Sequence, residues 1–596
     1  MAFTIEFQPL GLRLRSENNL NALDAARQAG IDIMAVCGGE GTCGKCLIQI
    51  LESKSTHKPT IADQKHISPD RLKAGFRLAC MTTLDSDSKL YVPATSILEN
   101  QIMQTEGEEH NIDLHPAINQ TQISLEKAHL KDLVSDFTRV KKALDKPGLK
   151  ADLDILRKIP KILRKNAWCV NVITRGDQII HTQEEKISAP LGLAVDVGST
   201  KIACYLIDLN TGKTLTAKGT PNPQIAYGED IMARLAFAMQ SDNNAQTLHD
   251  LTISAINDTA ESMCRRVNRF VEEIVDLCLV GNTAMHHFFL NLPTTSLAVS
   301  PFIPAVTDPL YPPAKDLGLA AMPGAGVYAP PVKAGFIGSD HLAFLYAAQF
   351  SKDDRTRLGI DIGTNTEIAL QAKGKIVSVS TASGPAFEGA HIAYGMRAAP
   401  GAIEHVCIDP NGQTEIDVIG GQEAIGICGS GILDAVAQLR QRGLINKRGR
   451  FLKEKEIIKK DPQGNPAFFL SDGENAVSLS QQDIDQILLA KGAIRAGIDI
   501  LMDYLAVEPA EIDEVVIAGA FGSYMLPEHA MGIGMLPTVP LSRIKIIGNA
   551  AGAGARMMLA NIYARKEAER LARSIEYLEL TLYPDFALYY ANGIRA

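Results

Sequence analysis

The run Cys37-Gly-Gly-Glu-Gly-Thr-Cys43-Gly-Lys-Cys46, answered by Cys80, constrains this chain more than any other feature. Its spacing is C-x5-C-x2-C-x33-C. Iron–sulfur clusters need several thiolates converging on two irons, and a tight loop giving three with a distant strand end giving the fourth achieves that. The intervening glycines let the backbone wrap closely and turn amides toward cluster sulfurs. A zinc site also accepts four thiolates, but zinc usually pairs two short C-x2-C knuckles, and only one is present. The pattern therefore points to a 2Fe–2S cluster on Cys37, Cys43, Cys46 and Cys80. Ten cysteines in 596 residues are too sparse for a disulfide scaffold. Cys169, Cys204, Cys264, Cys278, Cys407 and Cys428 are accordingly expected to be reduced, mostly buried thiols.

Around this loop, residues 3–7 and 11–15 alternate like a hairpin, and residues 21–30 read as a helix ending at Gly30. Strands follow at 47–51 and 89–93, making residues 1–94 a small, mainly β unit with one helix. The loop and Arg77-Leu-Ala-Cys80 resemble the adrenodoxin and putidaredoxin branch of 2Fe–2S ferredoxins, which implies a β-grasp fold. Residues 95–118 carry five acids and no Lys or Arg and read as a linker. Residues 119–189 form a small α+β middle unit, helical over 126–166 with a break at Lys146-Pro-Gly148. A hairpin then runs over 170–181, turning at Gly176-Asp177. From Leu191 onward strands alternate with helices, implying an α/β region with lobes at 190–355 and 356–596. That organisation agrees with the roughly four units expected at about 150 residues each.

Composition narrows the function classes. The chain is 46% hydrophobic and 21% charged, as expected of a soluble globular protein. No apolar run approaches the roughly 18 residues needed to span a bilayer, and Met1–Leu10 lacks a signal-peptide pattern. A cytoplasmic protein without membrane attachment is expected. Net charge of −9 argues against nonspecific nucleic-acid binding. The segment 139–165 is locally basic, ten Lys and Arg against three Asp. A solvated helix face explains it more simply than a dock for an acidic redox partner.

The α/β region repeats one device. Leu193-Ala-Val-Asp-Val-Gly-Ser-Thr-Lys201 is echoed by Leu358-Gly-Ile-Asp-Ile-Gly-Thr-Asn-Thr366. In each, an apolar strand ends in an acid and turns at glycine. Amides and short hydroxyls of Gly198, Ser199, Thr200 and Lys201, and of Gly363, Thr364 and Asn365, suit a polyphosphate. Asp196 and Asp361 suit Mg²⁺ held through its waters. Val515 to Ser523 runs an apolar strand into a Gly-x-x-Gly turn (Gly519, Ala520, Phe521, Gly522, Ser523) with room for a purine. Gly429, Ser430 and Gly431 open an apolar helix and could present amides to phosphate. No G-x-x-x-x-G-K-[ST] is present, against a P-loop NTPase. The three pieces resemble the phosphate-1, phosphate-2 and adenosine motifs of the acetate/sugar kinase–Hsp70–actin ATPase superfamily. The resemblance implies a two-lobed actin-like fold, ATP, and Asp196 and Asp361 as the catalytic acids across the cleft.

Softer candidates carry two readings each. Glu367 could face the cleft or be a solvated strand-end charge. Asn282 and Thr283 could position water or cap a helix. Cys428 reads as buried, and His286 and His287 as structural. Gly548-Asn-Ala-Ala-Gly-Ala-Gly554 suggests a dinucleotide loop, but a helix start packed on a strand fits better.

A ferredoxin joined through a linker and middle unit to such an ATPase resembles the reductive activators of corrinoid proteins. Gly281-Asn-Thr-Ala-Met-His-His287, Gly384-Pro-Ala-Phe-Glu-Gly389 and Ala518-Gly-Ala-Phe-Gly-Ser523 support this. The resemblance implies an ATP-hydrolysing iron–sulfur activase returning cobalt(II) to cobalt(I). Its partners would be a corrinoid protein of a methyltransferase system and a low-potential electron donor, with the middle unit as a homodimer surface. The alternatives are a small-molecule kinase with a redox-sensing ferredoxin domain, and an Hsp70- or actin-like scaffold carrying a ferredoxin.

Overall fold

The computed structural model describes the chain except residues 1–2, 9–11, 30, 32, 34, 36, 94–95, 97–112, 185–188, 229, 390, 422, 453–456, 462–463, 474–475, 520 and 596. Gly30, most of the acidic linker and Ala520 thus lie outside the described residues. The N-terminal unit is a five-stranded sheet in the order Leu12–Ser16, Phe3–Gln8, Ser88–Tyr91, Leu47–Ser53, Phe76–Leu78. Its first strand pairs antiparallel with Leu12–Ser16 and parallel with Ser88–Tyr91. Helix Ala22–Gln28 starts at Asn21, whose side chain accepts from the Asp24 amide, and buries Ala22, Leu23, Ala25 and Ala26. Capping satisfies an amide that the first turn leaves unpaired.

The middle unit differs from the sequence reading at its start. Residues 126–134 are irregular rather than helical, and the first helix is Asp136–Ala143, capped by Ser135. The polar strand Ile118–Ser124, which carries little hydrophobic signal, pairs along the whole of Cys169–Arg175. The hairpin partner Gln178–Gln183 and short Lys150–Ala151 complete a four-stranded sheet. Helix Leu153–Lys165 buries Ile155, Ile159 and Leu163, which turns its bases outward. On the preceding helix Asp136–Ala143, by contrast, Arg139 is buried against Asp132 at 2.5 Å.

The α/β region is built twice on one plan. Strand Leu191–Val197 pairs antiparallel with Lys201–Asp208 and parallel with Ile274–Gly281. Strand Arg357–Ile362 likewise pairs antiparallel with Thr366–Ala372 and parallel with Glu514–Ala518. Each meander continues to a third antiparallel strand, Thr214–Pro221 in one sheet and Lys375–Thr381 in the other. Both central strands are almost wholly buried, as strands covered on two faces should be, and their last residues deliver Asp196 and Asp361 to one cleft.

Helices Ala550–Ala560 and Ile562–Ser574 return from the far end of the chain to the core of the first sheet. The Gly548–Gly554 run is this helix start: Asn549 caps it, and a Cβ on Gly554 would lie 2.2 Å from the Ala343 carbonyl of helix Ser339–Ala347. Arg565 from the returning helix and Arg175 from the middle unit both reach Asp276, at 2.5 and 3.1 Å, and Asp276 is 1% exposed. This ion triad fastens three parts of the molecule together. Among the described residues no helix is long and apolar enough to cross a membrane.

Candidate functional site

Two sites emerge, the first at the cysteine loop. Its turns depend on left-handed glycines: Gly41 at φ 72° faces Met81 and Gly44 at φ 72° faces His66, and a Cβ on either would come within 3 Å of that side chain. The loop brings the four thiols together in two pairs. Cys37 and Cys43 stand close enough to perturb each other's titration, and Cys46 Sγ lies 3.3 Å from Cys80 Sγ. Within the first pair, the Cys43 thiol, with the Thr42 and Cys43 amides, pulls Cys37 down to about 3 while Cys43 itself is pushed up. In the second, the Cys80 thiol lowers Cys46, and Cys80 is raised by serving it.

Among the described residues no three His, Cys, Asp or Glu side chains gather around one point to hold a single metal ion. Two ligands on each of two metals is what a 2Fe–2S centre needs; a four-thiolate zinc ion needs all four on one. The thiol arrangement fits the former.

The second site is the cleft between the lobes, a cavity of about 280 Å³. From the sequence reading it is lined by Asp196, Gly198, Ser199, Thr200 and Lys201 on one side, and by Asp361, Gly363, Thr364 and Asn365 on the other. Gly429, Ser430, Gly519 and Phe521 also reach it. Gly431 and Gly522 do not line the cavity. Each sits where a Cβ would strike a neighbour, the Ile403 carbonyl at 2.5 Å and the Ile517 side chain at 2.7 Å, so packing explains these glycines. Ala520 and the Ser523 side chain lie outside the described residues. Gly519 is required by its backbone: φ is 93°, and a Cβ would stand 2.4 Å from the Ile362 carbonyl and 3.0 Å from Asp361 Oδ1.

Of the two readings for Glu367, the cleft is where it lies. It stands directly opposite Asp361 across the antiparallel pair, and directly opposed residues share a sheet face. Ser380 Oγ donates to it at 3.2 Å. Asn282 both caps its helix, accepting from the Met285 amide at 2.9 Å, and lines the cavity. Thr283 is turned away and donates to the Ala334 carbonyl. His287 is pinned between the Thr283 carbonyl and the Ala305 amide, and His286 is buried, which pushes it down to about 3. Cys428 is buried; among the other thiols Cys407 is exposed.

Three residues that the sequence reading did not assign complete the cleft. Asp340 opens helix Ser339–Ala347 and joins Asp196, Asp361 and Glu367 in one acidic group. Asn549 donates to Asp196 Oδ2 at 3.0 Å. Glu388, from Gly384-Pro-Ala-Phe-Glu-Gly389, spans the cleft: it accepts from Thr200 Oγ1 at 3.2 Å and from Thr364 Oγ1 at 2.6 Å. Its neighbour Phe387 stacks on Phe521, ring centroids 4.6 Å apart, making an apolar wall of the cleft. A motif search finds none of these roles; the nearest signal is the Asp, Asn or Glu standing at a helix start or between glycines.

The electrostatics follow from the crowding. Burial raises Asp196 to about 6, with the Asn549 bond opposing. Burial and then the Asp196 charge raise Asp361 to about 7, and the same causes raise Asp340 to about 8. Glu367 is pushed up by burial and by Asp340 and Asp361. Lys201 is lowered by burial and by Arg397, with Glu388 opposing. Four carboxyls that repel one another beside these loops could attract a hydrated divalent cation through its waters, without converging on it as direct ligands. The loop amides and the Thr200 and Thr364 hydroxyls can hold the phosphates it accompanies.

Four family models match consecutive parts of the chain. Residues 5–85 match the 2Fe-2S iron-sulfur cluster binding domain, 107–187 the RACo linker region, and 191–353 the RACo middle region. Residues 355–595 match the C-terminal domain of RACo, the ASKHA domain. The chain is 30% identical to the corrinoid activation enzyme RamQ of Eubacterium limosum, covering 94% of each. It is 27% identical to the Co(II) methylated amine-specific corrinoid protein reductase of Methanosarcina barkeri, over 64% of this chain and 72% of that one. Among solved structures, a reductive activator for corrinoid, iron-sulfur protein superposes with a TM-score of 0.74 at 30% identity, covering 99% of this chain and 97% of the other.

Proposed function

The chain belongs to the family of reductive activators of corrinoid proteins, and we propose that it returns a corrinoid protein from cobalt(II) to cobalt(I) at the expense of ATP. One observation carries this reading. A single chain holds four thiols in two pairs and, separately, a two-lobed cleft with an acid at the end of each central strand.

Cys37, Cys43, Cys46 and Cys80 would hold a 2Fe–2S cluster, which supplies a one-electron carrier near about −400 mV. Against a lower-potential acceptor, every 59 mV or so of mismatch is a tenfold loss in equilibrium. ATP offsets that mismatch by closing and opening the cleft, favouring one partner conformation over another. In the cleft, Thr200, Thr364 and the loop amides bind phosphate oxygens. Asp196, which accepts from Asn549, would position the attacking water, while Asp361, Asp340 and Glu367 would hold Mg²⁺ through its waters. Phe387 and Phe521 exclude water from the purine side.

The test mixes anaerobically purified protein with a cobalt(II) corrinoid protein, a low-potential reductant and ATP, and follows cobalt(I) absorbance. Asp196→Ala should abolish ATP-dependent cobalt(I) formation with the cluster spectrum intact. Cys43→Ser should damage the cluster and spare ATP hydrolysis. Reactivation at the wild-type rate without ATP hydrolysis sinks the proposal.

A further inference from the structure

The ferredoxin unit touches the first lobe at the segment Asn222–Gly228. Arg27, at the end of helix Ala22–Gln28, donates to the Ala226 carbonyl and places its guanidinium 5.2 Å from the centroid of the Tyr227 ring. Asp24 steadies it at 2.9 Å. Gly38, next to the ligand Cys37, lies against the Tyr227 backbone: a Cβ there would sit 3.7 Å from the Tyr227 carbonyl oxygen. A groove of about 290 Å³ lies open beside this contact, between Arg27 and Ile33 on one side and Lys218 and Asp258 on the other. Incompletely packed contacts are of the kind that form and release.

The same segment is anchored from below to the phosphate loop. Asn222 donates from its side chain to the Gly198 carbonyl at 2.8 Å and from its amide to the Thr200 carbonyl at 2.9 Å. Its far end is equally fixed: Arg234, fully buried, donates to the Gly228 carbonyl at 2.7 Å. Gln224, also fully buried, bonds Thr252 and the Leu248 carbonyl. Tyr227 rests on Phe237, ring centroids 4.7 Å apart. Seven residues therefore join the loop that binds phosphate to the surface on which the cluster loop rests.

We propose that Asn222–Gly228 is a docking seat for the chain's own ferredoxin domain, and that nucleotide on the phosphate loop tightens this docking. The inference rests on the ATP reading of the cleft. Asn222 uses carbonyls of the phosphate loop, whereas phosphate uses its amides and hydroxyls, so the two do not compete. Nucleotide that fixes the loop fixes the seat as well, and a seat already ordered binds the ferredoxin at lower entropic cost. Coupling of this kind is reciprocal: undocking must weaken nucleotide binding by the same factor.

The experiment uses the cluster-loaded full chain and a non-hydrolysable ATP analogue with Mg²⁺, read by hydrogen exchange and by equilibrium binding. In the wild type, the analogue should slow exchange at 198–201, at 222–228 and in helix Ala22–Gln28. In Arg27→Glu, and in the milder Arg27→Gln, protection at 198–201 should persist and that of the helix should be lost. Analogue affinity should fall by about fivefold or more, with the cluster absorbance unchanged as the check on folding. Protection at 198–201 without any change in the wild-type helix would overturn the coupling. Absence of protection at 198–201 itself would instead overturn the ATP reading on which it rests.

Discussion

Binding of Mg²⁺ and nucleotide should be coupled to proton release, by an amount the cleft geometry sets. Asp196, Asp361 and Asp340 are raised to about 6, 7 and 8, chiefly by burial and then by one another. They titrate as one coupled group, with Glu367 raised beside them, so the macroscopic steps belong to the cluster. At pH 7 Asp361 and Asp340 together retain on the order of one proton or more that a bound divalent cation would displace. Affinity for the cation–nucleotide complex should then rise about tenfold per displaced proton for each pH unit between 6 and 8. Stability moves the other way. Over the window from the ordinary carboxylate value near 4 to these raised values, the folded state binds more protons than the unfolded chain. Stability of the ligand-free protein therefore falls as pH rises through that window. Because the carboxyls line an open cleft, solvent screening trims the effect. Calorimetric titration in two buffers of different ionisation enthalpy reads the proton count directly, after subtracting the nucleotide's own titration. Asp340→Asn should remove close to one proton at pH 7. A release below about 0.3 proton, unchanged in that variant, would refute the assignment of these acids to one cation site.

Other consequences follow from single contacts. Glu388→Ala frees the Thr200 and Thr364 hydroxyls and removes a negative charge that repels phosphate, so a non-hydrolysable ATP analogue should bind about 3- to 10-fold tighter, on the scale of one to two hydrogen bonds; weaker binding would show that Glu388 supports the nucleotide. Gly519→Ala forces a side chain into φ 93° against the Ile362 carbonyl and should cost about 1–3 kcal/mol locally. Its ATPase rate should fall at least tenfold while the cluster spectrum is retained, and an unchanged rate would count against Asp361 as a catalytic group. Asp276→Ala leaves Arg565 and Arg175 without their shared carboxylate and should destabilise the ATPase region by about 3–5 kcal/mol, measured by urea unfolding. A loss under about 1 kcal/mol would mean the triad is not a fastening point.

The division between what could be read from the sequence and what could not follows contact distance along the chain. The cysteine loop, the two acid–glycine turns and the strand running into Gly519 are each built from neighbouring residues, so their chemistry is written locally. The repeated strand–Asp–Gly pattern even announces the two matching sheets, because a buried strand must be apolar until the residue that leaves the core. The strand Ile118–Ser124 escaped because it alternates Asn, Gln and Thr, and only its pairing with Cys169–Arg175 makes it a strand. The expectation of helix over 126–134 failed for the related reason that the Ser135 cap, not the helix propensity before it, sets where the helix begins.

What the sequence by itself determined is the inventory: four clustered cysteines, two acid-ended strands and an apolar turn, in an order that identifies the family. Tertiary structure alone decided how they are paired. It set Cys37 beside Cys43 and Cys46 beside Cys80, the two-plus-two arrangement that a two-metal centre would use. It brought Asp340, Glu388 and Asn549 to Asp196 and Asp361 from helix starts and a tight turn with no motif of their own. It also set Tyr227 beneath Arg27. Side-chain chemistry is a property of single residues, but desolvation and charge repulsion depend on which residues share a few ångströms, and only the folded chain settles that.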